Sequence, residues 1–213
     1  MFPNMFSLYF ISILSLFPLT DQSFQIALLK QLSLVSLNTN IVFSPLSIYQ
    51  ILSLASNGAN GNTQIELLKA LHQNDIVTLN QCNINYLNKQ NKQSLFIANA
   101  LFSKFHPIEH FIEIAKKYKA TASKLMSVTQ VNQWCAKNTN NKITNIINDI
   151  TDIDLLLVNA IYFKSNWKYK FKKELTTIQP FTNEDKSIVH IKMMIQTHSF
   201  SYYRNNSLQL IEL

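Results

Sequence analysis

From Asp21 onward apolar residues recur at helical spacing. Phe24, Leu28, Leu32 and Leu34 to Val35 lie along one stripe behind the N-cap residues Asp21 and Ser23, which predicts a first helix ending near Ser36. Ile41-Val42-Phe43 reads as a short strand, and Ser44-Pro45 as a helix start, because serine caps free amides and proline at the first helical position gives up an N–H without a partner. Ile48, Ile51, Leu52 and Ala55 share the next inward face, with Gly58 placed for a left-handed C-terminal residue. Thr63-Gln64-Ile65-Glu66 has the form of a capping box, opening a third helix through Leu71.

Asp75 to Lys92 is polar and aperiodic, and predicts a loop with at most one short helix. Ser94 to Ser103 reads as a strand. Pro107 opens a helix whose Ile108, Phe111, Ile112 and Ala115 face inward and whose end carries Lys116, Lys117 and Lys119. Val131 to Ile147 is helical by spacing. Leu155 to Phe163 is apolar on both faces, the pattern of a strand buried inside a sheet. Beyond Lys173 the pattern is all strand: Thr176 to Thr182, Ile188 to Gln196, Phe200 to Arg204 and Leu208 to Leu213.

Composition adds bounds more than chemistry. The chain has 213 residues, 47% hydrophobic and 15% charged, with a mean hydropathy of +0.01, which excludes a polyelectrolyte and a multi-span membrane protein. Its formal charge of +7 is spread out except at Lys164, Lys168, Lys170, Lys172 and Lys173, a solvated face before it is a polyanion site. No nucleic-acid partner is expected. Cys82 and Cys135 form neither a CxxC motif nor a disulfide framework. The 24 asparagines are scattered, and only Asn205-Asn206-Ser207 fits the glycosylation pattern. Residues 1–20 hold an apolar run, Met5 to Phe17, of signal-peptide length and too short for a span; without a basic start or a small-x-small cleavage site, a packed N-terminal extension stays open. The chain is expected to be secreted, with a cytoplasmic location as the alternative.

Candidate catalytic chemistry is thin. His106-Pro107-Ile108-Glu109-His110 fits the HxxEH pattern of inverted zinc peptidases, but Pro107 sets His106 at the cap, off the register the motif needs. With only Gly58 and Gly61, the chain has neither a GxSxG elbow nor a glycine-rich phosphate loop. No catalytic residue, metal site or cofactor is expected.

Several segments resemble the serpins, the serine protease inhibitor superfamily. Asn40 to Ile48, with Gly58 and Thr63 following, looks like the entry to serpin helix B, and Ile97-Ala98-Asn99-Ala100-Leu101-Phe102 resembles strand 2 of sheet A. Leu157 to Lys164, followed by Trp167 and Phe171, resembles strand 3 of sheet A and the segment after it. Pro180-Phe181 and Lys192-Met193-Met194 resemble strands 4 and 3 of sheet C.

The resemblance implies an α+β fold over residues 21–213, with N-terminal helices on a mixed sheet A (strands 1 to 3) and parts of sheets B and C. The C-terminal part of the fold, with the hinge and the reactive loop, has no counterpart in these residues. It also implies a shutter of Ser44, Ser47 and Asn159, small polar groups that hold sheet A closed, and a breach residue, Trp167. Capping alone is an equal reading of Ser44 and Ser47.

A full-length relative is expected to inhibit a serine or cysteine protease by inserting its cleaved loop into sheet A. These residues alone are expected to lack that activity and to self-associate, since an apolar strand without a neighbour is a template for pairing. A non-inhibitory binding or chaperone-like relative is the alternative. The short stretch from Leu71 to Leu95 predicts that helix D is reduced or missing, and heparin binding is not carried over. The stretch from Tyr118 to Asn132 predicts a loss in the strand 1 and helix F region, and Ser165 replaces the family's usual glycine.

Overall fold

Helix α2, Pro45–Gly58, starts as the Ser-Pro pair predicts: the Ser44 side chain accepts a hydrogen bond from the Ser47 backbone N–H at 3.3 Å. The structure is a computed structural model that describes residues 22–35, 41, 43–89, 95–183, 185–205 and 209–212. They fall into two compact units, 22–164 and 165–212.

In the first unit α1 (Gln22–Val35), α2, α3 (Gly61–Ala70) and α4 (Ile76–Lys89) precede β1 (Leu95–Ser103). Then follow α5 (Glu109–Lys117), β2 (Ala120–Lys124), α6 (Val128–Asn138) and β3 (Leu155–Phe163). The three strands make one mixed sheet in the order β2-β1-β3, with β1 parallel to β2 and antiparallel to β3. Strand β1 is its centre. Leu101 joins Leu54, Phe111 and Tyr118 in one core cluster, while Ala100 and Phe102 join Leu125, Val131 and Val158 in another. Alternate residues of β1 are therefore buried on opposite faces of the sheet. A third cluster, Phe24, Tyr49, Leu68, Leu71 and Leu79, ties α1, α2 and α4 together.

Several expectations are corrected. The capping box is unused: α3 begins at Gly61, and Asn60 is its N-cap, accepting from the Gly61 N–H at 2.7 Å. Gly58 ends α2 without turning left-handed. A Cβ there would lie 3.3 Å from Cζ of Phe111, close enough that the ring would have to shift.

The predicted loop after Asp75 is the 14-residue α4. Helix α5 starts at Glu109, leaving Ile108 exposed, and α6 ends at Asn138, well before Ile147. Both β2 and α6 are present in the region expected to be depleted. Ile41 and Phe43 are not in a strand. Val42 and the run 1–20 lie outside the described residues.

Helix α4 is seated by a polar seam. The amides of Asn57 and Asn80 exchange hydrogen bonds at 2.9 and 2.8 Å, the Tyr118 hydroxyl donates to Asn80 Oδ1 at 2.8 Å, and Asn83 Nδ2 donates to Ser53 Oγ at 3.3 Å. Burial pushes the Tyr86 phenol up to about 12 and raises Tyr118 as well. The unfolded chain releases these protons near pH 10 while the folded chain keeps them, so the contribution is whole below about pH 10 and is lost as pH rises towards the folded values. Urea midpoints measured from pH 8 upward are expected to fall above pH 10, and less steeply in Tyr118→Phe; an unchanged slope in that variant would disprove the assignment.

The second unit consists of two hairpins, β4 (Thr177–Thr182) with β5 (Ile188–Met193) and β6 (Tyr202–Arg204) with β7 (Gln209–Ile211). Strand β5 stops short of the expected Gln196.

Candidate functional site

Helix α2 packs against strand β3, and the sheet carries a pair of facing asparagines. Asn99 of β1 and Asn159 of β3 are register partners, and their side chains meet as well: Asn159 Nδ2 donates to Asn99 Oδ1 at 2.7 Å. Asn99 Nδ2 in turn donates to the Tyr118 carbonyl at 3.2 Å. A polar line therefore runs from the outer strand through the central strand to the segment that leads into β2. Each link is a hydrogen bond between uncharged groups, so the line holds strands without supplying an acid or a base.

Ser44 acts as the α2 cap, the alternative the sequence left open. Ser47, one turn on, has its Oγ buried without a hydrogen-bond partner among the described residues; the same holds for Asn159 Oδ1 and for both ends of the Gln50 amide. Gln50 is fully buried. Gln50 and Asn99 were missed by sequence reasoning. The available signal was a polar residue inside the apolar runs Ile48 to Leu54 and Ile97 to Phe102.

Among the described residues β3 pairs with β1 on one side and lies at the edge of the sheet, where its ends are open: Leu155 is 38% and Phe163 60% exposed. The two-sided apolar pattern predicted burial; the position at the edge explains the difference. Below its N-terminal half is an apolar recess of about 300 Å³, walled by Leu155, Leu157, Phe111, Gly58 and neighbouring residues.

In the second unit Trp167 is part exposed and meets Phe171 edge to face at 5.5 Å, while Tyr169 stacks on His198 at 3.4 Å. Lys168 pairs with Glu212 at 3.6 Å across solvent, a contact of little energy. Asn205 is exposed; Asn206 and Ser207 of the same motif lie outside the described residues. His106 precedes α5 while Glu109 and His110 are in it, so the HxxEH residues do not share one helical face. Among the described residues, no helix is long and apolar enough to cross a membrane.

Helices on a three-stranded mixed sheet, an open apolar outer strand and a polar line beneath it define an α+β protein whose central sheet is held by small polar side chains. The family model described as "Serpin (serine protease inhibitor)" matches residues 20–213. Human neuroserpin is 34% identical over 182 residues, covering 76% of this chain and 44% of that protein. The leukocyte elastase inhibitor of Xenopus laevis is 31% identical over 195 residues, covering 82% and 52%.

Among solved structures, cleaved Serpin 42Da superposes with a TM-score of 0.79 at 27% identity, covering 85% of this chain and 53% of that one. Reactive-loop-cleaved human thyroxine-binding globulin gives 0.80 at 25%, covering 88% and 62%. The chain belongs to the serpin family. It spans about half the length of the curated relatives it matches, and its fold is the corresponding part of the serpin fold, strands 1 to 3 of sheet A included.

Proposed function

We propose that the complete protein inhibits a serine or cysteine endopeptidase by inserting its cleaved reactive loop into sheet A, and that residues 21–213, a partial serpin domain, do not inhibit by themselves. The observation that carries this reading is the open edge of β3, an apolar strand with one neighbour among the described residues. Insertion needs a second wall and a loop, and β3 is one wall. Ser44, Ser47 and Asn159 act as the shutter and Trp167 as the breach residue; the Asn159–Asn99 bond and the unpartnered Ser47 hydroxyl support the shutter role. Residues 1–20 direct secretion, with a cytoplasmic product as the alternative, and Asn205 carries a glycan if the chain is exported. Alone, the 213-residue chain self-associates through β3.

Incubating the chain with a panel of serine and cysteine proteases is expected to give no SDS-stable covalent complex and no loss of protease activity. A stable complex with any of them would sink the claim that these residues are insufficient. A monomer with a cooperative thermal transition would remove the self-association.

A further inference from the structure

Both glycines of the chain follow an asparagine, and the fold treats the two pairs in opposite ways. Asn57 lies in the last turn of α2, where its Nδ2 donates to the Ser53 carbonyl at 2.8 Å and its amide is locked to that of Asn80 by two more hydrogen bonds. Gly58 after it is still helical. Asn60 is exposed and extended, at φ −139° and ψ 162°; Gly61 after it is left-handed at φ +56°, with nothing within 4 Å of the place a Cβ would take. The Asn60 side chain bonds to the Gly61 backbone nitrogen itself, at 2.7 Å from Oδ1.

We infer that Asn60, exposed and followed by an unobstructed glycine, is a site of spontaneous deamidation, and that Asn57, held by three side-chain hydrogen bonds, is protected. The Gly61 N–H points at Oδ1, so the exposed Asn60 side chain has to turn to present Cγ to the nitrogen, and among the described residues its bond to that N–H is all that this breaks. Asn57 would first have to break its bonds to the Ser53 carbonyl and to Asn80. Hydroxide removes the Gly61 amide proton, and the nitrogen lone pair attacks Cγ. The N–Cγ bond forms, the Cγ–Nδ2 bond breaks, and the leaving NH2 group takes one proton from water and departs as ammonia. Water then opens the five-membered imide at either carbonyl, giving aspartate or isoaspartate. One water is consumed and one ammonia released, with no change of oxidation state. Glycine matters because it accepts φ +56° without strain and puts no side chain beside the attacking nitrogen.

The two products act differently on α3. Aspartate keeps the cap and puts a negative charge at a helix start whose first turn has no acidic residue, which favours the helix. Isoaspartate runs the main chain through the former side chain, lengthens the link between α2 and α3 and removes the cap.

The test ages the 213-residue chain at neutral and alkaline pH and follows each asparagine by peptide mapping with isoaspartate-sensitive fragmentation. Asn60 is expected to convert roughly tenfold or more faster than Asn57, to give both products, and to speed up with pH. In urea the two rates should converge, since both pairs are then Asn-Gly in open chain. Gly61→Ala should slow Asn60 and leave Asn57 unchanged. Equal rates in the folded chain, a difference that persists in urea, or conversion of Asn60 unaffected by Gly61→Ala would each overturn the inference.

Discussion

Phe111→Ala is expected to destabilise the 22–164 unit by about 3–5 kcal/mol, the cost of emptying a buried aromatic site. The ring is 4% exposed and shares its core cluster with Leu54, Leu87, Leu101, Ile114 and Tyr118, so α2, α4, α5 and β1 all lose a contact at once. Its edge also reaches Gly58, where a Cβ would lie 3.3 Å from Cζ. In the native background Gly58→Ala sets about 1 kcal/mol of helix propensity against the shift forced on the ring. With alanine at 111 the opposition is gone, and the same substitution should stabilise by about 0.5–1 kcal/mol. Urea unfolding of the four proteins of this cycle gives the coupling. The same effect of Gly58→Ala in both backgrounds would show that the ring does not explain the glycine.

How far the sequence revealed this fold depended on whether the inward residues were apolar. Helix α2 and strands β1 and β3 were legible because Ser44-Pro45 and the long apolar runs each admit one local solution. Helix α4 was hidden because its buried face runs Leu79, Asn83, Leu87, with an asparagine in the middle and Asn80 beside it. Those amides are satisfied by Ser53 and Asn57 of α2, partners that no local pattern contains. At α3 two caps competed. Asn60 took the start three residues ahead of Thr63 because Gly61 supplies the left-handed turn into the helix.

The candidate site was half legible for the same reason. Ser44, Ser47 and Asn159 came from likeness to the serpins, whereas Asn99 acquires meaning only when pairing sets it opposite Asn159. Gln50 acquires it only from its complete burial.

Asn99→Leu is the substitution that separates this polar line from ordinary packing. Asn99 is 3% exposed, and leucine, of the same branched shape though bulkier, removes both its hydrogen bonds, leaving the Tyr118 carbonyl and Asn159 Nδ2 without their partner. Each of the two groups left unsatisfied costs about 1–3 kcal/mol, so a loss of about 2–6 kcal/mol is expected. The double variant Asn99→Leu, Asn159→Leu should be more stable than the single one by about 1 kcal/mol or more, because it removes the stranded donor and also Asn159 Oδ1, which has no partner among the described residues. Hydrogen exchange adds the spatial test. Asn99→Leu loosens the outer strand, so amides along Leu155–Phe163 should exchange faster relative to those of α2 than they do in Phe111→Ala, where the loss falls on the helices. A double variant no more stable than the single one would mean that the Asn99–Asn159 bond does not hold the strand. The shutter role proposed for Asn159 would then lose its mechanical support.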